Sequence, residues 1–229
     1  IQVYKANLII PQIAENLTRS GVKNIPNHCP VCGGDTEIRQ VNNAKSLYCT
    51  NPECQAKHVK SFALFVSRDA LNIDGMSEAT LEKFIMNGFV KDYADIFHLD
   101  RFAEAIKQME GFGEKSYQKL QASIEKARTT TLPKLIYSLG ITNIGLANAK
   151  MICKAFDYEI DRMMKATPEE LSAIDGVGEV IANTFVEYFR DARHVEEVEK
   201  LLNELHIPKE EAQAEEQIFA GMNFVITGS

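Results

Sequence analysis

Four of the five cysteines in this 229-residue chain fall within 26 residues and form two closely spaced pairs. Cys29 and Cys32 are separated by two residues, and Cys49 and Cys54 by four. Thiolate pairs at this spacing bind Zn²⁺ tetrahedrally, because each pair supplies two ligands from one turn. Four thiolates leave no ligand position for water, so the spacing predicts a structural rather than a catalytic zinc site.

Two other chemistries remain open for these cysteines. Disulfides require an oxidising compartment, and nothing in the sequence indicates export. A thioredoxin-like redox pair has no need of a second pair at this distance. His28 and His58 flank the cluster and are alternative ligands, but four thiols already complete the coordination shell. Cys153 lies among apolar residues and is predicted to be a buried packing residue.

The segment between the two cysteine pairs must bring them together. Residues 35–41 and 44–48 alternate enough to predict two short strands, with Asn42-Asn43 as the turn between them. Gly33-Gly34 and Asn51-Pro52 predict tight turns beside the cysteines. The expected local structure is a small β zinc ribbon.

A second pattern is a short glycine-containing loop that recurs four times, at intervals of 36, 32 and 33 residues. The copies span residues 71–77, 109–113, 139–145 and 174–178. From about residue 61 to 206 the apolar residues around them recur at helical spacing, as in Leu120, Ile124 and Ala127. The repeats therefore predict four helix–loop–helix units.

Each loop has two special positions. The first is occupied by Gly75, Gly111, Asn143 and Gly176. We expect a positive φ there, which glycine and asparagine tolerate. The second is occupied by Ser77, Gly113, Gly145 and Gly178. It feeds a helix whose first N–H groups lack acceptors and carry the positive end of the helix dipole, so each loop is a candidate phosphate cradle. Lys115 follows the second loop as a further candidate phosphate contact.

This pattern resembles the helix-hairpin-helix family of DNA-binding motifs, which implies binding to the sugar-phosphate backbone without reading of sequence. Glycine loops in an ordinary helical bundle are the alternative, which four copies at near-constant spacing disfavour. Ser77 and Asn143 depart from the glycine pattern, and Glu179 follows the fourth loop, where it opposes binding. We expect most of the DNA contact at the first two loops and the cysteine region, and least at the fourth loop.

The two ends of the chain resemble parts of other domains. Residues 1–13 look like the last strands of an OB fold, and residues 219–228 resemble the opening of a BRCT domain. The start lacks an initiator Met, so we expect a fragment. The expected segments are the end of an OB fold with a linker (1–26), a four-cysteine zinc finger (27–60), a helix-hairpin-helix domain (61–207), an acidic linker (208–217) and a truncated first BRCT strand (218–229). The expected fold class is mainly α, a helix-hairpin-helix bundle preceded by a small β zinc ribbon and the end of an OB-fold strand region.

This order resembles the C-terminal part of bacterial NAD⁺-dependent DNA ligases. The resemblance implies a cytoplasmic, nucleoid-associated parent enzyme that seals nicks in duplex DNA during replication and repair. It also implies that the catalytic lysine, NAD⁺ and Mg²⁺ are bound in other domains. A K-x-D-G motif does not occur in the sequence. We therefore expect this segment to bind nicked duplex DNA and structural Zn²⁺, and to be inactive alone.

The net charge of −7 argues at first against a nucleic-acid partner. The acidic excess is uneven, however: residues 1–70 hold 8 basic and 5 acidic side chains, and residues 141–207 hold 7 and 13. In addition, a phosphate cradle made of main-chain amides needs few positively charged side chains. No apolar run reaches the length that a membrane-spanning helix needs, which excludes a membrane protein.

Other functions remain open. A recombination mediator also combines the two motifs, but there the hairpin precedes the zinc site and a Toprim domain follows. A helix-hairpin-helix DNA glycosylase requires a catalytic aspartate soon after the hairpin, and Asp191, between Arg190 and Arg193, is instead predicted to be solvated surface. A purely structural or protein-binding role is the third possibility.

Overall fold

The computed structural model describes residues 2–6, 10–19, 21, 25–41, 44–52 and 54–208. The chain divides into two compact units, residues 1–55 and 56–229. The predicted BRCT strand, and the predicted acidic linker apart from Pro208, lie outside the described residues. No helix in the described part is long and apolar enough to cross a membrane.

The first unit contains two antiparallel hairpins. Its strands are β1 (Gln2–Ala6), β2 (Ile10–Glu15), β3 (Thr36–Val41) and β4 (Ala44–Cys49). Strand β1 pairs with β2, and β3 pairs with β4 from Thr36 opposite Cys49 to Val41 opposite Ala44. The ribbon between the cysteine pairs is therefore confirmed. The front segment forms two strands, whereas its assignment to an OB fold stays a prediction.

The second unit is helical, which confirms the mainly α fold class. Its helices are α1 (Gln55–Phe65), α2 (Glu78–Met86), α3 (Ala103–Lys107), α4 (Glu114–Ala127), α5 (Leu132–Ser138), α6 (Leu146–Ala155), α7 (Ile160–Met164), α8 (Pro168–Ser172), α9 (Glu179–Arg190) and α10 (Ala192–Glu204). A 3₁₀ segment, Tyr93–Phe102, precedes α3. Helix α1 begins at Gln55 and includes residues 60 and 61, and the domain boundary expected between these two residues stays a prediction.

One hydrophobic core runs through the helical unit. Phe65, Phe84 and Phe185 are fully buried within it, and the ring of Phe65 stacks on Tyr93 at 4.4 Å. Burial of each such ring stabilises the fold by about 1.5–3 kcal/mol. Cys153 is also fully buried, as its apolar neighbours predicted. Packing in this core fixes the positions of the helices, and the helices in turn fix the positions of the loops that join them.

The end of α10 is tied to the segment that joins α4 to α5. The Arg128 guanidinium donates to Glu204 Oε2 at 2.7 Å and to the Phe97 carbonyl at 2.8 Å. Glu204 Oε1 lies 2.8 Å from His98 Nε2. The His206 amide donates to the Arg128 carbonyl, next to a parallel bridge between Thr129 and His206. A partly buried ion pair therefore anchors the last helix to the middle of the chain.

Burial alone would raise the pKa of Glu204, but its hydrogen bonds with Arg128 and His98 outweigh burial and lower the pKa below 4.5. A carboxyl with a depressed folded-state pKa stabilises the fold above its unfolded pKa, and this contribution is lost as pH falls through the folded value.

We predict that Glu204→Gln lowers the free energy of unfolding by about 1–2 kcal/mol at neutral pH, because Arg128 loses the closer of its two charged acceptors. The difference from wild type should shrink as pH falls below 4.5. Urea denaturation across this range measures both effects. Glu199→Gln, at an exposed position of the same helix, is the control. A pH-independent difference would contradict the assignment.

Candidate metal centre and nucleic-acid interface

The structure brings the four predicted metal ligands together. The Sγ atoms of Cys29, Cys32, Cys49 and Cys54 all lie within 4.8 Å of one another. Across the two pairs, the sulfurs of Cys29 and Cys54 are 3.9 Å apart and those of Cys32 and Cys49 are 3.5 Å apart. Sulfurs at ~2.3 Å from a tetrahedral zinc ion stand ~3.8 Å from one another. The cluster therefore fits Zn²⁺, and its spacings are too long for the ~2.05 Å bond of a disulfide.

Two glycines shape the first cysteine turn. Gly33 has a φ of +70°, and its amide donates to the Cys29 carbonyl at 2.9 Å. A Cβ on Gly34 would lie 3.0 Å from the Cβ of Asn51 and 3.3 Å from the Sγ of Cys32. Gly34 is therefore required where the two turns approach each other most closely.

The thiols of the cluster differ in acidity. The Gly34 amide and then the Asn51 side chain lower the pKa of Cys32 to about 6. Burial and then the neighbouring Cys32 sulfur raise the pKa of Cys49 to about 12. Four sulfurs this close cannot all ionise against one another without a cation between them. A divalent metal removes that repulsion.

The flanking histidines do not enter the cluster. Among the described residues, the group that can hold a metal consists of the four cysteines alone. His28 Nδ1 instead faces the Asp35 carboxylate at 3.2 Å. His58 lies in α1, where its carbonyl accepts a hydrogen bond from the Ser61 hydroxyl.

The first position of every predicted loop has the left-handed backbone that the sequence indicates. The φ angles are +90° at Gly75, +87° at Gly111, +64° at Asn143 and +84° at Gly176. In the last three loops, an i→i+3 backbone hydrogen bond closes the turn around this residue. Each of these loops therefore forms a four-residue turn whose third residue needs a positive φ, which favours glycine or asparagine at that position.

The second position of every loop is the N-cap of the next helix. Ser77, Gly113, Gly145 and Gly178 precede α2, α4, α6 and α9, respectively. An apolar residue between the two positions anchors each loop in the core; these residues are Met76, Phe112, Ile144 and Val177. Each loop thus places the amides of a first helical turn at the surface.

Three of the second positions are open. A Cβ on Gly113, Gly145 or Gly178 would meet no atom within 4 Å, and none of these residues has a positive φ. Neither packing nor backbone conformation within the described chain requires glycine there. The first loop differs, because Ser77 Oγ accepts the Thr80 amide at 3.2 Å.

The first positions divide the loops into an outer and an inner pair, which the sequence did not predict. A Cβ on Gly75 of the first loop would lie 3.7 Å from Leu120 of α4, and one on Gly176 of the fourth loop 3.2 Å from Met151 of α6. Gly111 of the second loop has nothing within 4 Å. The outer loops, the first and fourth, therefore pack on helices that follow the inner loops, the second and third.

Other contacts distinguish individual loops. Lys115, the second residue of α4, is exposed and has no ion-pair partner among the described residues. In the third loop, Asn148 Nδ2 donates to the Asn143 carbonyl at 3.0 Å and braces the turn. Open concavities border the first and fourth loops, and each includes a carboxylate, Asp74 or Asp175.

Comparison with known proteins agrees with the loop repeats. The helix-hairpin-helix motif model matches residues 134–198, which contain the third and fourth loops. The chain is 58% identical over 229 residues to a protein named DNA ligase from Lachnoclostridium phytofermentans and 53% identical to one from Ruminiclostridium cellulolyticum. It is 35% identical over 243 residues to a DNA ligase from Bacillus subtilis.

These alignments cover 100% of this chain and 35% of each relative. The chain therefore spans about a third of the length of the curated relatives that it matches. The predicted resemblance to a DNA ligase segment is confirmed.

We predict that Cys32→Ser reduces bound zinc to well below one ion per chain and destabilises the first unit, because zinc-binding free energy is folding free energy at a structural site. Elemental analysis and limited proteolysis of residues 25–54 measure the two effects. His28→Ala should retain zinc, since four thiolates complete the shell. Full zinc occupancy in Cys32→Ser would contradict the assigned ligand set.

We predict opposite effects of one substitution at two positions of the fourth loop. Gly176→Ser should lower the free energy of unfolding by about 1–2 kcal/mol, because its φ is +84° and Met151 is close. Gly178→Ser should be neutral or stabilising, because serine is a favoured N-cap. Thermal melting measures both. Equal losses at the two positions would refute the assigned loop geometry.

Proposed function

We propose that this chain, which is similar from end to end to about a third of a DNA ligase, holds nicked duplex DNA for a ligase active site. The alignments support a ligase parent, and the helix-hairpin-helix match supports DNA binding. The observation that carries the proposal is the set of three glycine N-caps with open space in front of them. Such glycines admit a ligand group that any side chain would displace.

The loops would bind DNA through main-chain amides. A phosphate oxygen accepts hydrogen bonds from the unpaired N–H groups of a first helical turn, and the helix dipole adds a favourable charge. Such contacts carry no sequence information. Several weak contacts on one rigid unit raise one another's effective concentration, so each can be individually modest. The duplex is thereby held at any sequence in which a nick occurs.

The zinc ion would have a structural role. When bound, it cross-links the two cysteine turns at the end of the β3–β4 ribbon. The donor set is complete with four thiolates, which leaves no position for water or substrate. The first unit has few buried apolar side chains among its described residues, so the metal compensates for the absence of a larger core.

We assign adenylation to other parts of the ligase parent. The sequence lacks the K-x-D-G motif that the resemblance associates with the adenylated lysine. In this proposal NAD⁺ and Mg²⁺ bind outside this segment, and the segment alone does not seal nicks. The parent acts in replication and repair in the bacterial cytoplasm, at the nucleoid.

We predict that Gly113→Val and Gly145→Val each weaken binding to a labelled nicked duplex at least several-fold, because the valine side chain occupies the approach to the amides. Fluorescence anisotropy measures the affinity, with intact duplex and single-stranded DNA as comparisons. Ala192→Val, in the exposed first turn of α10, is the matched control. Thermal melting separates a blocked surface from a destabilised fold.

Unchanged affinity in both glycine variants would overturn the cradle assignment. A wild-type chain that binds none of the three DNAs would overturn the proposed function itself.

A further inference from the structure

Helix α4 carries three lysines on one line along its surface. Lys115, Lys119 and Lys126 are at positions i, i+4 and i+11, which places them within about 40° of one another around the helix. All three side chains are exposed, and none has an ion-pair partner among the described residues. The exposed residue on this line between the last two lysines is Ala122, which is small.

The acidic residues of α4 lie beside this line and are already paired. Glu114 receives hydrogen bonds from Lys107 and Gln118, and the Lys107 contact is 3.1 Å long. Glu125 pairs with Arg128 at 3.1 Å. Because Lys107 and Arg128 also pair with Glu104 and Glu204, they offset these two carboxylates only in part. The three lysines of the line still outnumber the two acidic residues of α4.

Helix α6 has a shorter version of the same feature. Lys150 and Lys154, one turn apart, are both exposed, and the helix contains no acidic residue. Neither lysine has an ion-pair partner within the ranges that the structure describes. Helices α4 and α6 follow the second and third loops, so both inner loops continue into a basic helix.

The helices that follow the outer loops have the opposite character. Helix α2 exposes Glu78, which pairs with Lys60, together with Glu82 and Lys83; α9 exposes Glu179, Glu187 and Arg190. Each of these helices therefore has one more acidic than basic side chain. The first positions of the outer loops also pack against α4 and α6 rather than facing open space. The net charge of the following helices and the packing of the first loop positions are independent observations. Both distinguish the repeats of the outer loops from those of the inner loops.

We propose that the exposed lysines of α4 and α6 form phosphate-binding lines that extend the two inner loops along the backbone of a DNA duplex. This inference rests on the proposed DNA-binding function and deepens it. Lys115 to Lys126 spans ~16 Å at 1.5 Å per residue, the axial length of about five phosphates of one strand. The inner repeats add lysine contacts to those of the loops, and the first positions of the outer loops pack against the two inner helices.

This assignment differs from the one expected from charge along the sequence. The sequence favoured the first two loops, whereas the structure favours the second and third. In the first loop Ser77 binds the Thr80 amide, which lies within the first turn of α2, and α2 has one more acidic than basic side chain. In the second loop Ser116 binds the amide of the N-cap Gly113, which precedes the first turn of α4.

Three charge-matched double variants of the chain test the proposal. They are Lys119→Gln/Lys126→Gln on α4, Lys150→Gln/Lys154→Gln on α6, and the control Lys91→Gln/Lys165→Gln, at exposed positions outside both lines. Each removes two positive charges, and exposed substitutions of this kind leave stability nearly unchanged. Anisotropy with a labelled nicked duplex at several salt concentrations gives the affinity and its salt dependence.

We expect each helix pair to weaken binding roughly ten-fold and to flatten the slope of log affinity against log salt by about 1.8, or ~0.9 for each lost phosphate contact. The control should leave the slope unchanged. A control that matches either helix pair, or an effect from one helix pair alone, would overturn the inference while wild-type binding stands. Absence of wild-type binding would instead overturn the proposed function.

Discussion

A backbone conformation that most residues avoid is the constraint on which the helical unit depends. At the first special position of each loop, the residue has a φ between +64° and +90°. That angle turns the chain sharply enough for the apolar residue beside it to enter the core and for the next residue to cap a helix. If the turn were wider, the anchor would leave the core and the helical amides would no longer point outward. The surface proposed to hold DNA is thus a consequence of turn geometry more than of side-chain chemistry.

Much of this organisation could be predicted from residue types and spacing. Cysteines at fixed separations predict a cluster because the ligand geometry of zinc is narrow. Glycine or asparagine at constant intervals predicts left-handed turns, because few other residues tolerate that region. Asn143 has a positive φ although it is not glycine, so the feature that the repeats share is a residue that tolerates positive φ.

The pairing of the repeats could not be predicted, because it depends on contacts between residues far apart in sequence. Gly75 lies against Leu120, and Gly176 against Met151, and neither contact leaves a local pattern. The same holds for charge. A regional count hides the three lysines of α4 among the acidic residues around them, and only the structure shows that Glu114 and Glu125 pair with Lys107 and Arg128 rather than with these lysines. Net charge per segment is a poor guide where many of the charged side chains are paired within the fold.

The bridge between Thr129 and His206 gives the second half of the helical unit adjacent ends. The chain enters this half and leaves it at the same point, where the His206 amide and the Arg128 carbonyl meet at 2.6 Å. A segment with adjoining ends can be copied, inserted or circularly permuted with little disturbance of its surroundings. The ion pair between Arg128 and Glu204, which secures α10, therefore also closes the second half of the helical unit on itself.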